Sequence, residues 1–453
     1  MMRRYVFALL TAVLVGGCAG PPPARPVLDT GPDGLLVDEP LRVAVSGLEP
    51  GSTATVWARM TDDQGRPWTS WGVFAADGTG RVDLARQAPT GGSYSGTEPE
   101  GLLWSMRLPD GAPATDPRPA LDSGEVAYTV GVDVAGRTVA RDSLVRRLRA
   151  PGVRSLPVAE DGLVGDLYLP PGDGPHPGVV LLGGSEGGRP NPRLATLLAG
   201  RGFATLGLAY FGVEGLPPAL GRIPVEYGTR AVDWLRSRPE VGDGQVGVVG
   251  HSKGGEFALL LGSATPHVGA VASVAGSGVV FGGIVAQGGS SQPVSSWTRG
   301  GVDVPPLTSG ATANPLGPLL PVAHGRPLRF DSTFAGLLDA EPALDRASIP
   351  VEDINGEALL VSGQVDELWP SSGLLDVAAR RLGDRAEHVV EPGAGHFILD
   401  VPNLPTTYTT AFPLVPGLLW TAGGGTPRAN AAATADTFRR VVGLFEAELG
   451  GQR

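Results

Sequence analysis

Two stretches of this 453-residue chain carry the G-x-S-x-G pattern of an activated serine, Gly183-Gly184-Ser185-Glu186-Gly187 and Gly250-His251-Ser252-Lys253-Gly254. A nucleophile elbow requires a strand, a turn too tight for side chains two residues before and after the serine, and a helix directly behind it. At the first site Arg189-Pro190-Asn191-Pro192 follows, and its prolines keep a helix from starting behind Ser185. At the second, Gln245 to Val249 reads as the strand, and Gly255-Glu256-Phe257-Ala258-Leu259-Leu260-Leu261 reads as the helix. Ser252 is therefore the expected nucleophile. The loop at Gly183 to Gly187 fits a supporting role, lending a backbone N–H from Gly184 or Ser185 to an oxyanion hole shared with the N–H of Lys253.

A serine of this kind needs a base and an acid, met in the chain order serine, acid, histidine. Of six histidines, His267, His324, His388 and His396 lie beyond Ser252. His396 sits in Glu391-Pro392-Gly393-Ala394-Gly395-His396-Phe397, where glycine freedom lets an imidazole reach over the strand ends. His388 opens an alternating strand, and His251 is read as packing. The acid is placed at Asp366, just past the apolar strand Ala358-Leu359-Leu360-Val361-Ser362, at the C-terminal sheet edge where α/β proteins gather catalytic groups. Glu367 is its close rival; Asp353 precedes the strand and falls at the wrong edge. The chemistry expected of Ser252, Asp366 and His396 is acyl transfer to water, with no metal and no cofactor.

Such residues must be held by alternating buried strands and helices, and the sequence from Pro151 supplies them: Gly178 to Leu182, Arg193 to Arg201, Phe203 to Ala209, Pro224 to Arg238, then the elbow. Sheet strands resume at Glu357 to Ser362 and Glu387 to Glu391, and Ala431 to Leu449 closes the chain as an amphipathic helix. Leu163 to Leu169 is expected as an antiparallel strand at one edge. Residues 151–453 thus read as an α/β-hydrolase domain, with an irregular insertion over 281–330 that has the composition of a lid. Before it, residues 28–150 show short alternating runs without helices, the pattern of a β-sandwich.

The net charge of −11 argues against nucleic acid or an anionic membrane surface as an electrostatic partner. Lys253 is the only lysine in a chain whose other basic residues are arginine. Either its position beside the nucleophile requires the compact ammonium head, or the single lysine is chance.

At the N-terminus Arg3 and Arg4 precede an apolar run from Tyr5 to Val15, too short to span a bilayer. Val15-Gly16-Gly17-Cys18 resembles the lipobox of bacterial lipoproteins. That resemblance implies a signal peptide over 1–17, a diacylglyceryl group on Cys18, a Pro-rich tether over 18–27 and an extracytoplasmic, membrane-anchored location. Cys18 is the sole cysteine, so no intrachain disulfide can form.

Several motifs in order are similar to the acyl-CoA thioesterase and bile acid-CoA:amino acid N-acyltransferase family. They are Asp38-Glu39-Pro40-Leu41-Arg42-Val43, Gly101-Leu102-Leu103-Trp104-Ser105-Met106, Leu198-Ala199-Gly200-Arg201-Gly202-Phe203-Ala204, Ser252-Lys253-Gly254-Gly255-Glu256, Gly363-Gln364-Val365-Asp366, Gly395-His396 and Gly425-Thr426-Pro427-Arg428-Ala429-Asn430-Ala431. The resemblance implies an immunoglobulin-like sandwich ahead of the hydrolase domain and an acyl thioester as small-molecule substrate. Amino-acid conjugation in that family goes with cysteine at the nucleophile position, so Ser252 points to hydrolysis. Two other readings stand: a carboxylesterase or dienelactone-hydrolase-like esterase acting on an extracytoplasmic ester, and a non-catalytic surface lipoprotein.

Overall fold

A computed structural model describes residues 25–109, 119, 121, 124–284, 294–308, 322–339, 341–415 and 419–450. The expected signal peptide, Cys18 and most of the tether lie outside the described residues, as do parts of the insertion.

The first domain is built from β1 (Val27–Asp29), β2 (Leu35–Leu36), β3 (Ala44–Ser46), β4 (Thr53–Thr61), β5 (Pro67–Ala75), β6 (Val82–Asp83), β7 (Gly91–Gly92), β8 (Glu125–Val134) and β9 (Arg137–Arg147), with a short helix α1 (Gly101–Trp104). They form a six-stranded sheet in the order β2-β9-β8-β4-β5-β7 and a three-stranded sheet in the order β1-β3-β6. Period-two burial holds them together: Trp68, Ser70, Gly72 and Phe74 of β5 point inward, and Pro67, Thr69, Trp71 and Val73 between them do not. The domain is thus built from two sheets whose inward residues share one apolar core.

The second domain carries β10 (Arg154–Val158), β11 (Val164–Leu169), β12 (Gly178–Leu182), α2 (Pro192–Gly200), β13 (Ala204–Ala209), β14 (Ile223–Pro224), α3 (Val225–Arg236), β15 (Val246–His251), α4 (Lys253–Ala264) and β16 (Val268–Val274). It continues through β17 (Trp297–Arg299), β18 (Val302–Asp303), α5 (Asp331–Ala335), α6 (Glu341–Ala347), β19 (Glu357–Gly363), α7 (Ser371–Leu382), β20 (Ala386–Glu391), β21 (Ala411–Val415), β22 (Leu419–Ala422) and α8 (Pro427–Leu449). Eight of these strands form one sheet in the order β10-β11-β13-β12-β15-β16-β19-β20. From β13 through β20 all neighbours run parallel.

Each central strand is buried on both faces, and its alternate residues serve different cores. Val179 and Leu181 of β12 join Leu197, Leu198 and Phe445 from α2 and α8, whereas Val180 and Leu182 join Val232, Leu235, Phe257 and Leu261 from α3 and α4. The first of these clusters runs on into the sandwich, so apolar packing fastens the two domains. Polar ties add to it: Arg201 pairs with Asp38, and Asn403 donates from Nδ2 to the Val37 carbonyl at 2.9 Å.

Three expectations need correcting. The strand expected at the sheet edge, β11, is antiparallel but lies second; β10 is outermost. Sequence reading passed over β10 because four of its five residues are exposed and it contains Pro157, features of an edge rather than a core strand. The described part of the 281–330 insertion is ordered, since β17 pairs with both β14 and β18 and Trp297 is fully buried. The closing helix starts a turn early, at Pro427, because Thr426 caps it by accepting from Ala429 N at 3.1 Å.

Candidate active site

The turn at Ser252 has the backbone that its sequence demands. β15 ends at His251, α4 begins at Lys253, and between them Ser252 has φ +56° and ψ −121°, a conformation costly to any residue with a side chain. The surrounding contacts hold it there. A β-carbon at Gly250 would lie 2.0 Å from the Gly254 carbonyl oxygen, and one at Gly254 would lie 2.2 Å from that of Gly183. Ser252 N–H donates to the Val274 carbonyl at 2.9 Å, which ties the turn to β16. Lys253, as first residue of α4, has no intrahelical acceptor for its N–H.

Asp366 and His396 are brought together from separate loops at the C-terminal ends of β19 and β20. His396 Nδ1 lies 2.8 Å from Asp366 Oδ2, and both side chains are about 1% exposed. The other carboxylate oxygen, Oδ1, accepts from Leu368 N–H at 3.0 Å and Trp369 N–H at 3.2 Å. Those bonds fix the carboxylate's orientation, and with Nδ1 donating, Nε2 of His396 keeps a lone pair. Gly395 permits the histidine's approach: its N–H donates to Asn430 Oδ1 at 2.8 Å, and a β-carbon there would lie 2.3 Å from the Gly424 carbonyl oxygen.

The rivals are placed elsewhere. Glu367 pairs with Arg329 at 3.1 Å, and Asp353 lies in a short turn ahead of β19. His267 meets Asp233 at the surface, His324 is exposed, and His388 lies on β20 with Nε2 3.4 Å from Ser362 Oγ.

His251 does more than pack. Its Nε2 lies 2.9 Å from the His396 carbonyl, and since a carbonyl only accepts, Nε2 carries the hydrogen. This bond joins the residue before the serine to the backbone of the histidine. Burial, and then the neighbouring His396 ring, push the His251 pKa down from 6.5 to about 4. The unfolded chain therefore takes up a proton that the folded chain refuses between these values. Stability from this residue is fully present above about pH 6.5 and is lost as pH falls toward 4, up to about 3 kcal/mol. Urea midpoints across that range should fall less steeply for His251→Gln than for the parent; equal slopes would contradict the assignment.

Lys253 turns its side chain inward. Its ammonium lies 2.7 Å from both oxygens of Glu256, one turn along α4, and Glu256 is wholly buried. Glu256 Oε1 also accepts from Trp297 Nε1 at 2.6 Å and Phe281 N–H at 3.2 Å. The Trp297 ring stacks on Phe257 with centroids 4.4 Å apart. The sole lysine is thus part of a buried pair that fastens the elbow helix to the insertion. Burial lowers the Lys253 pKa and raises that of Glu256, and each is opposed by the other's charge. Glu256→Gln removes the counter-charge and strands the ammonium. A destabilisation of roughly 3–5 kcal/mol is expected, read as a lowered Tm; an unchanged Tm would count against it.

Of the expected oxyanion donors, Gly184 is already engaged: its N–H donates to Glu186 Oε1 at 2.9 Å. Ser185 is exposed on the same loop. Tyr210, buried behind it, holds the loop by donating to the Gly183 carbonyl at 2.7 Å. Glu186, Glu256 and Asn430 all stand within the quoted motifs, yet the sequence assigns no role to their side chains. Glu256 and Asn430 lie on helices, where no one-dimensional signal tells a polar residue that is buried from one that faces solvent.

Among the described residues no group of three or more His, Cys, Asp and Glu side chains is placed to hold a metal, and no helix is long and apolar enough to cross a membrane.

Two family descriptions match the chain: "Acyl-CoA thioester hydrolase/BAAT N-terminal region" over residues 38–160 and "BAAT / Acyl-CoA thioester hydrolase C terminal" over residues 223–451. Among curated relatives, acyl-coenzyme A thioesterase 1 of Homo sapiens is 33% identical over 428 residues, which cover 91% of this chain and 94% of that protein. Acyl-coenzyme A thioesterase 2, mitochondrial, of Mus musculus is 32% identical, covering 92% and 87%. The peroxisomal succinyl-coenzyme A thioesterase of Mus musculus is 33% identical, covering 91% and 94%.

Proposed function

We propose, from the premise that this chain belongs to the acyl-CoA thioester hydrolase/BAAT family, that it hydrolyses acyl thioesters through an acyl-enzyme on Ser252. The observation that carries this reading is the 2.8 Å hydrogen bond between His396 and Asp366, buried beside an elbow that forces Ser252 to φ +56°. On this reading Ser252 Oγ attacks the acyl carbonyl as its proton passes to His396 Nε2, and Asp366 stabilises the imidazolium. The tetrahedral oxyanion rests on the N–H groups of Lys253 and Ser185, because Glu186 occupies that of Gly184. Collapse expels the thiolate, which takes the proton from His396. Water, deprotonated by His396, then attacks the ester carbonyl, and as the acyl–Oγ bond breaks His396 returns the proton to Ser252 Oγ and the carboxylic acid leaves.

The immunoglobulin-like character of the first domain is part of the same reading and is supported by its two sheets, whose buried residues belong to one apolar core. So is the anchored location, supported by the residues around Cys18. Mass spectrometry of the native N-terminus should find a diacylglyceryl group on Cys18; an unmodified cysteine, or cleavage elsewhere, would remove that part.

The substrate class is tested by comparing thioesters and oxygen esters of identical acyl groups. Thioesters should show the higher kcat/KM. Turnover of oxygen esters alone would replace thioesterase by carboxylesterase on the same residues.

A further inference from the structure

Glu186 places a carboxylate where the proposed chemistry has no use for one. It is exposed, its carboxylate accepts from the Gly184 N–H, and among the described residues no cation pairs with it. A β-carbon on Gly184 would lie 2.8 Å from Glu186 Oε2 and 3.2 Å from Ser252 Cβ, so that carboxylate oxygen and the serine β-carbon stand on either side of this position, no more than about 6 Å apart. The loop that carries it is not free to swing. Tyr210 holds the carbonyls of Gly183 and Gly184 at 2.7 and 3.2 Å, and a β-carbon on Gly187 would meet the Phe211 ring at 2.6 Å. After burial, the Glu186 charge is the largest influence raising the pKa of the buried Tyr210 hydroxyl, so its field reaches into the site.

We propose that Glu186 is a specificity-determining residue: a fixed, unneutralised carboxylate beside Ser252 that discriminates against acyl groups bearing a negative charge within a few bonds of the scissile carbonyl. The inference rests on the reading of Ser252 as nucleophile. A second negative charge, carried on an acyl group attached at Ser252, meets an exposed carboxylate across a partly solvated surface, a repulsion that changes a rate ratio several-fold, up to roughly fivefold. Neutral and cationic acyl groups escape this repulsion, whereas a short dicarboxylic acyl group does not. The same anion would oppose the tetrahedral oxyanion of every substrate. Only a ratio between substrates with one leaving group isolates the selection.

The test uses the full chain in detergent with the butyryl and succinyl thioesters of N-acetylcysteamine, two four-carbon acyl groups that differ in one terminal charge. For the parent, kcat/KM should favour butyryl. In Glu186→Gln the succinyl-to-butyryl ratio should rise several-fold, up to roughly fivefold, and in Glu186→Asp, which keeps the charge, it should stay near the parental value. A parent that prefers succinyl, or a ratio that Glu186→Gln does not move, overturns the inference while leaving the nucleophile intact. If a fluorophosphonate fails to label Ser252 and neither thioester is cleaved, the underlying reading of the site has failed instead.

Discussion

Ser252→Ala is expected to lower kcat/KM for any cleaved acyl substrate by at least ~10⁴-fold, with a Tm within a few degrees of the parent. The size follows from the role. Alanine leaves the Lys253 N–H and the His396–Asp366 pair in place, so only catalysis from positioning and the oxyanion donors survives. The small thermal effect follows from the backbone. Ser252 holds φ +56° with a β-carbon already present, and its backbone N–H, not its hydroxyl, makes the bond to Val274. Alanine adds no new strain. A variant keeping more than about one hundredth of parental activity would mean that another group attacks the substrate.

Asp366→Asn should cost about 10⁴-fold in kcat through a different route. Asp366 Oδ1 accepts two backbone N–H groups, so the amide nitrogen of an asparagine is driven to the Oδ2 position, facing His396 Nδ1. A donor there favours the tautomer with hydrogen on Nε2, which leaves nothing to take the serine's proton. Fluorophosphonate labelling of Ser252 should slow in parallel with turnover. Glu367→Gln, by contrast, should change kcat less than threefold or so, because that carboxylate pairs with Arg329 at 3.1 Å. If Glu367→Gln were the damaging change, the acid would have to be reassigned.

What could be read from the sequence was set by local rules. The apolar strands β12, β13, β15, β16 and β19 announce themselves because a parallel sheet buries both faces of each strand. The elbow is legible because its glycines, strand and helix are contiguous, whereas the prolines after Ser185 bar a helix directly behind the other serine motif. Asp366 and His396 could be placed because both follow strands whose ends meet at one sheet edge.

Contacts between distant segments were not legible. The pairing of Lys253 with Glu256 lies within one helical turn, yet its burial depends on Trp297 and Phe281, which the composition of the insertion gives no reason to bring inward. An elbow turns the neighbours of its serine away, so the sequence shows His251 only as packing, and its bond to the His396 carbonyl exists only in the fold. In the sequence Glu186 is one letter of a weak motif, whereas in the fold its carboxylate takes the Gly184 N–H that the sequence offers to an oxyanion.

The proposed reaction requires an acyl group to be held covalently on Ser252. Rapid acid quench of the full chain during turnover of a slow thioester, followed by peptide mass spectrometry, tests it directly. An acyl mass is expected on the peptide containing Ser252, absent from Ser252→Ala and accumulating when deacylation is slowed. An acyl mass on Ser185 or any other residue, or burst-free turnover with none, would contradict it.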